Sequence, residues 1–369
     1  MHYRLSLLLS PQLFQLTLSV EFSVLTQNLK FIPIAGGTID MMNERAKEYG
    51  DVLVGLGDKI PDVIGFQEMF ADEPTTILLA KIAVTHPYQL HSLPETLPDD
   101  KVINSGLALA SRFPIEAYDF RMFTEASGLD ALSAKGVLVA LIRLPASFAV
   151  ISITHQQAGI SASIANSQLG TGKSLMENFV RSNIPASALN YTAAISMGDF
   201  NIEFGDGTNL YQQMIDTLAY EVEDPHTTLN PGQDGFTSPP SNPIKRIDYV
   251  LNLKSIDESG MCAFPSSFVI NHVVNFLIFQ GADIDELSDH LGVEATFFID
   301  ENPDGALPNL INDNDSCNSF AIPTGSPTTL PTGMFIETPS PTTAVSATSR
   351  TNVESSTLCL LFVIHLLAL

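Results

Sequence analysis

The amino-acid sequence predicts an α/β protein in which β-sheets are covered by helices. Three observations carry that reading. Between about residues 22 and 300, short β-rich runs alternate with amphipathic stretches. The chain of 369 residues is 45% hydrophobic and 16% charged, a balance that belongs to a folded globular protein. Polar, chemistry-bearing side chains also recur at or just past the ends of the apolar runs, where loops gather around a cleft.

In chain order, residues 1–20 open with His2 and Arg4, followed by apolar runs at 5–9 and 13–20. This is the pattern of a secretory leader, interrupted by Pro11 and Gln12; residues 14–18 could instead form a leading edge strand. A strand is expected at residues 22–26, then a helix at 39–59 with apolar positions at Met42, Ala46, Val52, Val54 and Leu56. Residues 62–66 read as a buried strand, and further strands are expected at 106–110, 137–142, 148–154, 193–197 and 247–251. No internal repeat is visible. One large folded body over residues 21–305 is within the size range of a single α/β domain.

The composition shifts after that body. Residues 322–357 are rich in Pro, Ser and Thr, which cannot bury enough apolar surface to fold, and a disordered stalk is expected over 306–348. Residues 358–369 are almost wholly apolar, yet a membrane-spanning helix needs ~20 residues. An apolar terminus behind a polar spacer, with Ser346, Ala347 and Thr348 upstream, has the layout of a glycolipid-anchor signal, expected over 349–369; a frayed hydrophobic terminus is the alternative. The expected location is therefore secreted, at the extracellular face of the plasma membrane. Asn190-Tyr191-Thr192 and Asn314-Asp315-Ser316 would be glycan acceptors on that route.

Charge narrows the substrate. With 41 acidic against 17 basic residues and a net charge of -24, a broad basic face for nucleic acid is disfavoured. The three cysteines, Cys262, Cys317 and Cys359, are too few and too scattered for a thiolate metal site. Cys262 and Cys317 would form one disulfide in an oxidising compartment or stay as two small hydrophobes.

Asn28, Gln67-Glu68, His155, Asp199 with Asn201, and Asp289-His290 all sit at or just past an apolar run. Together they are the inventory of a metal-assisted phosphate site. Hard cations such as Mg²⁺ keep one or two protein carboxylates, which Glu68 and Asp199 can supply. A neutral His takes a proton from water near pH 7, and an acid behind it holds its tautomer, as His290 and Asp248 could do. Asn28 and Asn201 can donate to phosphate oxygens without adding charge. Taken singly, His155 reads as a core histidine, Lys135 as a loop lysine and Asp199 as an Asx turn. His86, His91 and His226 lack such a setting and read as surface or structural.

Seven motifs stand in register: Leu25-Thr-Gln-Asn28, Gln67-Glu68, the run at 105–115, Thr154-His155, Gly198-Asp-Phe-Asn201, Ile247-Asp-Tyr249 and Ser288-Asp-His290. In this the sequence resembles the DNase I-like endonuclease, exonuclease and phosphatase superfamily. The resemblance implies a four-layer sandwich of two packed mixed β-sheets flanked by helices. It also implies Glu68 as the main metal ligand, Asn28 near the metal, Asp199 and Asn201 addressing phosphate and attacking water, and Asp289 as the acid of a second metal position. By the same match, His290 is the general base oriented by Asp248, and His155 contacts phosphate and assists the leaving oxygen. The implied ion is Mg²⁺, with Mn²⁺ or Co²⁺ as substitutes.

Within the superfamily, Asp130-Ala-Leu-Ser-Ala-Lys135-Gly136 looks like the Asp-x-x-x-x-Lys-Gly loop of neutral sphingomyelinases, whose Asp and Lys are coupled in activity control and phosphate contact. Glu68-Met-Phe70, Thr154-His-Gln-Gln-Ala158 and residues 288–296 are similar to the same subfamily. The expected function is hydrolysis of sphingomyelin, or a related phosphocholine lipid at a membrane surface, to ceramide and phosphocholine. The alternatives are a secreted endonuclease of the same superfamily and a catalytically silent, anchored binding protein. Residues 264–279 are apolar but lack Trp, a departure from the membrane-inserting hairpin of bacterial sphingomyelinases.

Overall fold

The computed structural model describes residues 3–6, 17–33, 37–159, 161–238, 245–255, 268–274 and 287–300. Two mixed sheets pack face to face. The first runs in the order β12 (Phe268–Val274), β13 (Gly292–Asp300), β2 (Thr17–Asn28), β3 (Val63–Gln67), β5 (Ala108–Ser111) and β4 (Tyr88–Leu90), with β1 (Tyr3–Ser6) paired to β2. The second runs β10 (Glu221–Glu223), β11 (Asp248–Ser255), β9 (Thr192–Asp199), β8 (Phe148–His155), β7 (Gly136–Arg143) and β6 (Ile115–Met122).

The inner faces form one core. Phe22, Val24, Val63, Leu109, Val293 and Phe297 of the first sheet meet Leu138, Ile151, Ile153, Ile195, Met197 and Val250 of the second. Burying such side chains contributes ~1.5–3 kcal/mol each before the entropy of ordering them is counted. On the outside, α1 (Ile39–Gly55) and α2 (Asp72–Ile82) cover the first sheet through Leu25, Ile64 and Phe66. On the far side, α3 (Ala162–Asn183) packs on Val137, Val139 and Val150 of the second sheet, and α4 (Leu210–Leu218) adds Met214 and Leu218 beside Tyr249 and Leu251. The four layers expected from the resemblance are therefore present.

Helix α1 begins where Thr38 caps it, its hydroxyl accepting the Met41 N–H at 3.2 Å. The helix ends at Gly55 rather than at residue 59, and a 3-10 turn, Gly57–Lys59, follows. Met42 and Ala46 are buried as expected, but the stripe continues through Tyr49, Gly50 and Leu53, leaving Val52, Val54 and Leu56 half-buried. The period of 3.6 residues carries position 46 to 49, 50 and 53 and turns 52 and 54 to the edges of the face, while Leu56 lies past the helix end as its C-cap. The strand expected at 22–26 runs from Thr17, and Val20 lies in the inter-sheet core. Cys262, Cys317, Asn314, the expected stalk and the expected anchor signal lie outside the described residues. Of residues 264–279 only β12 is described.

Topology places the polar strand ends together. In the first sheet β2 and β3 run parallel and finish side by side, Asn28 opposite Gln67; in the second β8 and β9 do the same, His155 opposite Asp199. Strand β11 runs antiparallel to β9, so its first residue, Asp248, pairs with the last of β9, Asp199. Antiparallel β13 likewise starts beside the end of β2, Val293 opposite Thr26, and delivers the preceding residues 287–291 to the same edge.

Candidate active site

At that edge the backbone leaves its strands in uncommon conformations. Glu68, Lys30 and Asn201 have φ of 60°, 52° and 51°, three of the four non-glycine residues in the left-handed region among the described residues. Such backbone is retained only where its surroundings fix it. Gln67 does part of this, exchanging hydrogen bonds with Thr26 through its side chain (Nε2 to Oγ1, 3.0 Å), while the Met69 N–H beyond Glu68 reaches the Gly106 carbonyl at 2.9 Å.

Asn28 ties the two sheets together. Its Nδ2 donates to Glu68 Oε1 at 2.9 Å and to Asp199 Oδ2 at 3.1 Å, and its Oδ1 accepts the Lys30 N–H at 3.0 Å. Asp199 Oδ1 accepts the Asn201 N–H at 2.9 Å, so the Asx turn and the site role coexist on different oxygens. Asn201 Nδ2 donates to the Gln156 carbonyl at 2.9 Å.

His155 is buried, its Nε2 3.6 Å from both Glu68 Oε1 and Asp199 Oδ2 and 3.2 Å from Lys135 Nζ. Burial, helped by the charges of Lys135 and His290, holds its pKa well below the usual range, so the ring is neutral. Lys135 is buried too; its ammonium reaches Asp130 Oδ1 at 3.0 Å, while Asp130 Oδ2 accepts the Ala158 N–H at 3.3 Å. The loop from Asp130 to Lys135 thus places a cation inside the site and its counter-charge at the rim.

His290 Nδ1 lies 2.8 Å from Asp248 Oδ2, and its Nε2 is 3.9 Å from Asp199 Oδ2. Burial alone would lower the imidazole, but the carboxylates of Asp248 and Asp199 and the hydrogen bond to Asp248 lift it to about 10. Asp199 is pushed up to about 7 by burial first and then by Asp248 and Glu68, against the opposing pull of His290. Glu68 is raised by burial, with the Asn28 bond and the nearby His290 and Lys135 acting against it.

Crowded, desolvated carboxylates of this kind are suited to a cation. Glu68, His155 and Asp199 offer three ligand atoms within 4.8 Å of one another, and Asp199, Asp248 and His290 form a second such group. His155 Nδ1 and Asp248 Oδ1 are buried polar atoms that find no hydrogen-bond partner among the described residues. Two carboxylates and an imidazole fit a hard or borderline divalent ion. Asn28 lies beside both acids as a hydrogen-bond donor, with its oxygen taken by Lys30. Asp289 belongs to neither group and is paired with Lys30 at 2.6 Å.

Residues 42–290, more than half of the chain, match the endonuclease/exonuclease/phosphatase family. The chain belongs to that family. Enzymes of the endonuclease/exonuclease/phosphatase family are hydrolytic phosphoesterases, which supports an enzyme of phosphodiesterase type. Among solved structures, the fold matches beta toxin from Staphylococcus aureus with a TM-score of 0.59 at 20% identity, covering 74% of this chain and 99% of the toxin. It matches sphingomyelinase C from Streptomyces griseocarneus at 0.57 and 18%, covering 75% and 99% of the two chains. Humanized TDP2 from D. rerio matches at 0.55 and 16%, covering 75% and 98%. At these identities the likeness is one of fold. A double mutant of the same beta toxin carries bound magnesium ions. A 98-residue stretch, 27% of this chain, is 33% identical to an uncharacterized protein of Dictyostelium discoideum and spans 8% of that protein's length.

Several residues that hold this family member's site together were given no role by the sequence. Thr237 is buried; its Oγ1 accepts the Ile247 and Asp248 N–H groups at 3.1 and 3.2 Å, and its carbonyl accepts the Leu291 N–H at 2.6 Å, fastening the two halves of the His290–Asp248 pair. Ser288 Oγ donates to the Asn28 carbonyl at 2.5 Å and accepts the His290 N–H at 3.2 Å. Arg45 reaches from α1 to the carbonyls of Leu29, Lys30 and Leu287 at 3.2, 2.8 and 3.1 Å. An arginine on the buried stripe of an amphipathic helix was a legible signal, since such a cation is buried only with partners. His86 and His226 are buried structural residues and His91 is exposed.

Proposed function

We propose that this chain hydrolyses sphingomyelin or a related phosphocholine lipid, using a divalent ion, Mg²⁺ or its substitutes Mn²⁺ and Co²⁺, held by Glu68 and Asp199. The observation that carries the lipid reading is the Asp130–Lys135 ion pair, which sets a buried ammonium 3.2 Å from His155 Nε2 beside both candidate ligands. A nuclease reading has no broad basic face in its favour, given the net charge of -24. The fold's likeness to sphingomyelinase C gives further support.

The bound ion would polarise the phosphodiester and offset the charge building on its oxygens. His290 accepts a proton from water, which attacks phosphorus in line with the ceramide oxygen; that bond breaks, the ceramide oxygen takes up a proton, and phosphocholine is released. Asp248 holds the imidazole with Nε2 toward the site and stabilises the imidazolium. The carboxylates of Asp248 and then Asp199 favour the protonated ring, and a cation beside Asp199 would weaken that hold and ready His290 to accept a proton. Lys135 and Asn28 place positive charge and N–H groups where phosphate oxygens gain charge. His155, neutral, serves by hydrogen bonding.

The test is phosphocholine release from sphingomyelin vesicles by the full chain with Mg²⁺ and then with chelator, with plasmid DNA alongside. Metal-dependent release with intact DNA is the expected result. DNA nicking without phosphocholine release would move the protein to the nucleases, and no hydrolysis of either would leave a binding protein.

A further inference from the structure

Asp289, expected among the metal ligands, lies outside both ligand groups among the described residues, and its Oδ2 is 2.6 Å from Lys30 Nζ. Both partners are held in place. The left-handed backbone of Lys30 is pinned by its N–H on Asn28 Oδ1 at 3.0 Å and by its carbonyl under Arg45 Nη2 at 2.8 Å. Asp289 is flanked by Ser288, bonded to the Asn28 carbonyl at 2.5 Å, and by His290, bonded to Asp248 at 2.8 Å. An ion pair between freely moving surface side chains contributes little. Here the Lys30 backbone and Ser288, the neighbour of Asp289, are both bonded to Asn28, the residue that also bridges Glu68 and Asp199.

We propose that the Lys30 ammonium is the built-in second cation of this site, so that the chain binds one divalent ion, at Glu68 and Asp199, and none at Asp289. Mg²⁺ keeps most of its waters and is held through one or two carboxylates. At Asp289 a carboxylate oxygen is already committed to a fixed positive charge, and an arriving ion would meet that charge at close range. A divalent ion there has to displace the lysine, whereas between Glu68 Oε1 and Asp199 Oδ2 the shared partner is the Asn28 amide, a neutral donor that can yield. The inference rests on the reading that the site takes a divalent ion and is independent of which phosphodiester is cut.

The measurement is the number of ions bound by the full chain, by titration calorimetry with Mg²⁺ and by paramagnetic resonance with Mn²⁺. Wild type is expected to bind one. Lys30→Met removes the ammonium but keeps the apolar stem; it should bind a second ion, more weakly, and adding Asp289→Asn should abolish that second ion. Lys30→Arg should stay at one. Two ions in wild type would overturn the proposal whether or not the variants fold, and leave the phosphodiesterase reading standing. One ion in a Lys30→Met protein with wild-type circular dichroism would overturn it as well. No ion in wild type would remove this proposal together with the metal-dependent mechanism.

Discussion

The His290 imidazole and the Asp248 carboxylate meet at 2.8 Å across the two sheets, one from the loop leading into β13 and the other from the first position of β11. The contact fixes Nδ1 as the protonated nitrogen and directs Nε2 toward Asp199. If this pair moves the proton from water, His290→Ala should lower kcat by about 10²–10⁴, the range for general base catalysis. Asp248→Asn should come close to it, and the double variant should be little worse than either, because the two act as a unit. Turnover of a phosphocholine ester with saturating Mg²⁺ checks this. Additive losses would mean the residues work separately.

Glu68 is a carboxylate crowded by others, its pKa raised chiefly by burial. An acid with a raised folded pKa costs stability that grows as pH rises through its titration range. Glu68→Gln retains the oxygen that accepts from Asn28 and removes the charge. The ion-free variant should therefore be more stable than ion-free wild type by about 1 kcal/mol at pH 8, as is common when a functional strain is relieved. Mg²⁺ should raise the melting temperature of wild type and leave the variant unchanged, since only a native state that binds the ion gains from it. Thermal melts at several ion concentrations give both numbers; a less stable ion-free variant would contradict the crowding argument.

The site was legible because its residues stand at the ends of apolar runs, and parallel pairing of β2 with β3 and β8 with β9 turns neighbouring ends into one edge. Glu68, His155, Asp199 and His290 needed only that topology to meet. Lys30 with Asp289, and Thr237 with Asp248, were not legible, since each contact joins segments brought together by packing rather than by local pattern. The half-exposed strand β6 and the three-residue strands β4 and β10 escaped for another reason: they bury too few side chains to leave a continuous apolar run. Helix α3 carries Ser, Thr, Asn and Gly among its apolar positions, which blurs its stripe.

His86 gives the fold a pH dependence away from the site. The ring is fully buried, with Nε2 2.8 Å from the Pro61 carbonyl and Nδ1 3.0 Å from Thr85 Oγ1. Burial lowers its pKa from 6.5 to about 4, with the Pro61 bond opposing and Arg112 assisting. Between those values the unfolded chain takes up a proton that the folded chain does not. Stability is thus intact above pH 6.5 and declines as pH falls toward 4, by up to about 1.4 kcal/mol per pH unit. His86→Gln should flatten this part of the curve. Urea unfolding of both proteins from pH 7 to pH 4 measures the difference, and parallel curves would show that His86 titrates normally.

Gly198 precedes Asp199 on β9 with φ 143°, and a Cβ added there would stand 2.0 Å from the Thr154 carbonyl oxygen. That atom is backbone of the neighbouring parallel strand β8, so no side-chain rotation relieves the overlap. Gly198→Ala should force β8 and β9 apart beside the site and destabilise the protein by about 3 kcal/mol or more. Chemical denaturation at neutral pH tests this; a loss below about 1 kcal/mol would mean the strands can separate cheaply.

Asp130 and Lys135 divide one task. On the proposed mechanism the ammonium acts at the reacting phosphate, whereas Asp130 acts on the ammonium, holding it at 3.0 Å while bonded to the Ala158 N–H. Lys135→Met should reduce kcat by about 10²–10³, as loss of a buried charge-stabilising donor does. Asp130→Asn keeps an oxygen for the Ala158 N–H but loses the charge that restrains Lys135, so its kcat should fall less, by about tenfold, with KM little changed. In the Lys135→Met background Asp130→Asn should have almost no further effect, because the group it positions is gone. Steady-state kinetics on the four proteins decide the matter: equal effects of Asp130→Asn with and without Lys135 would place Asp130 on the substrate itself.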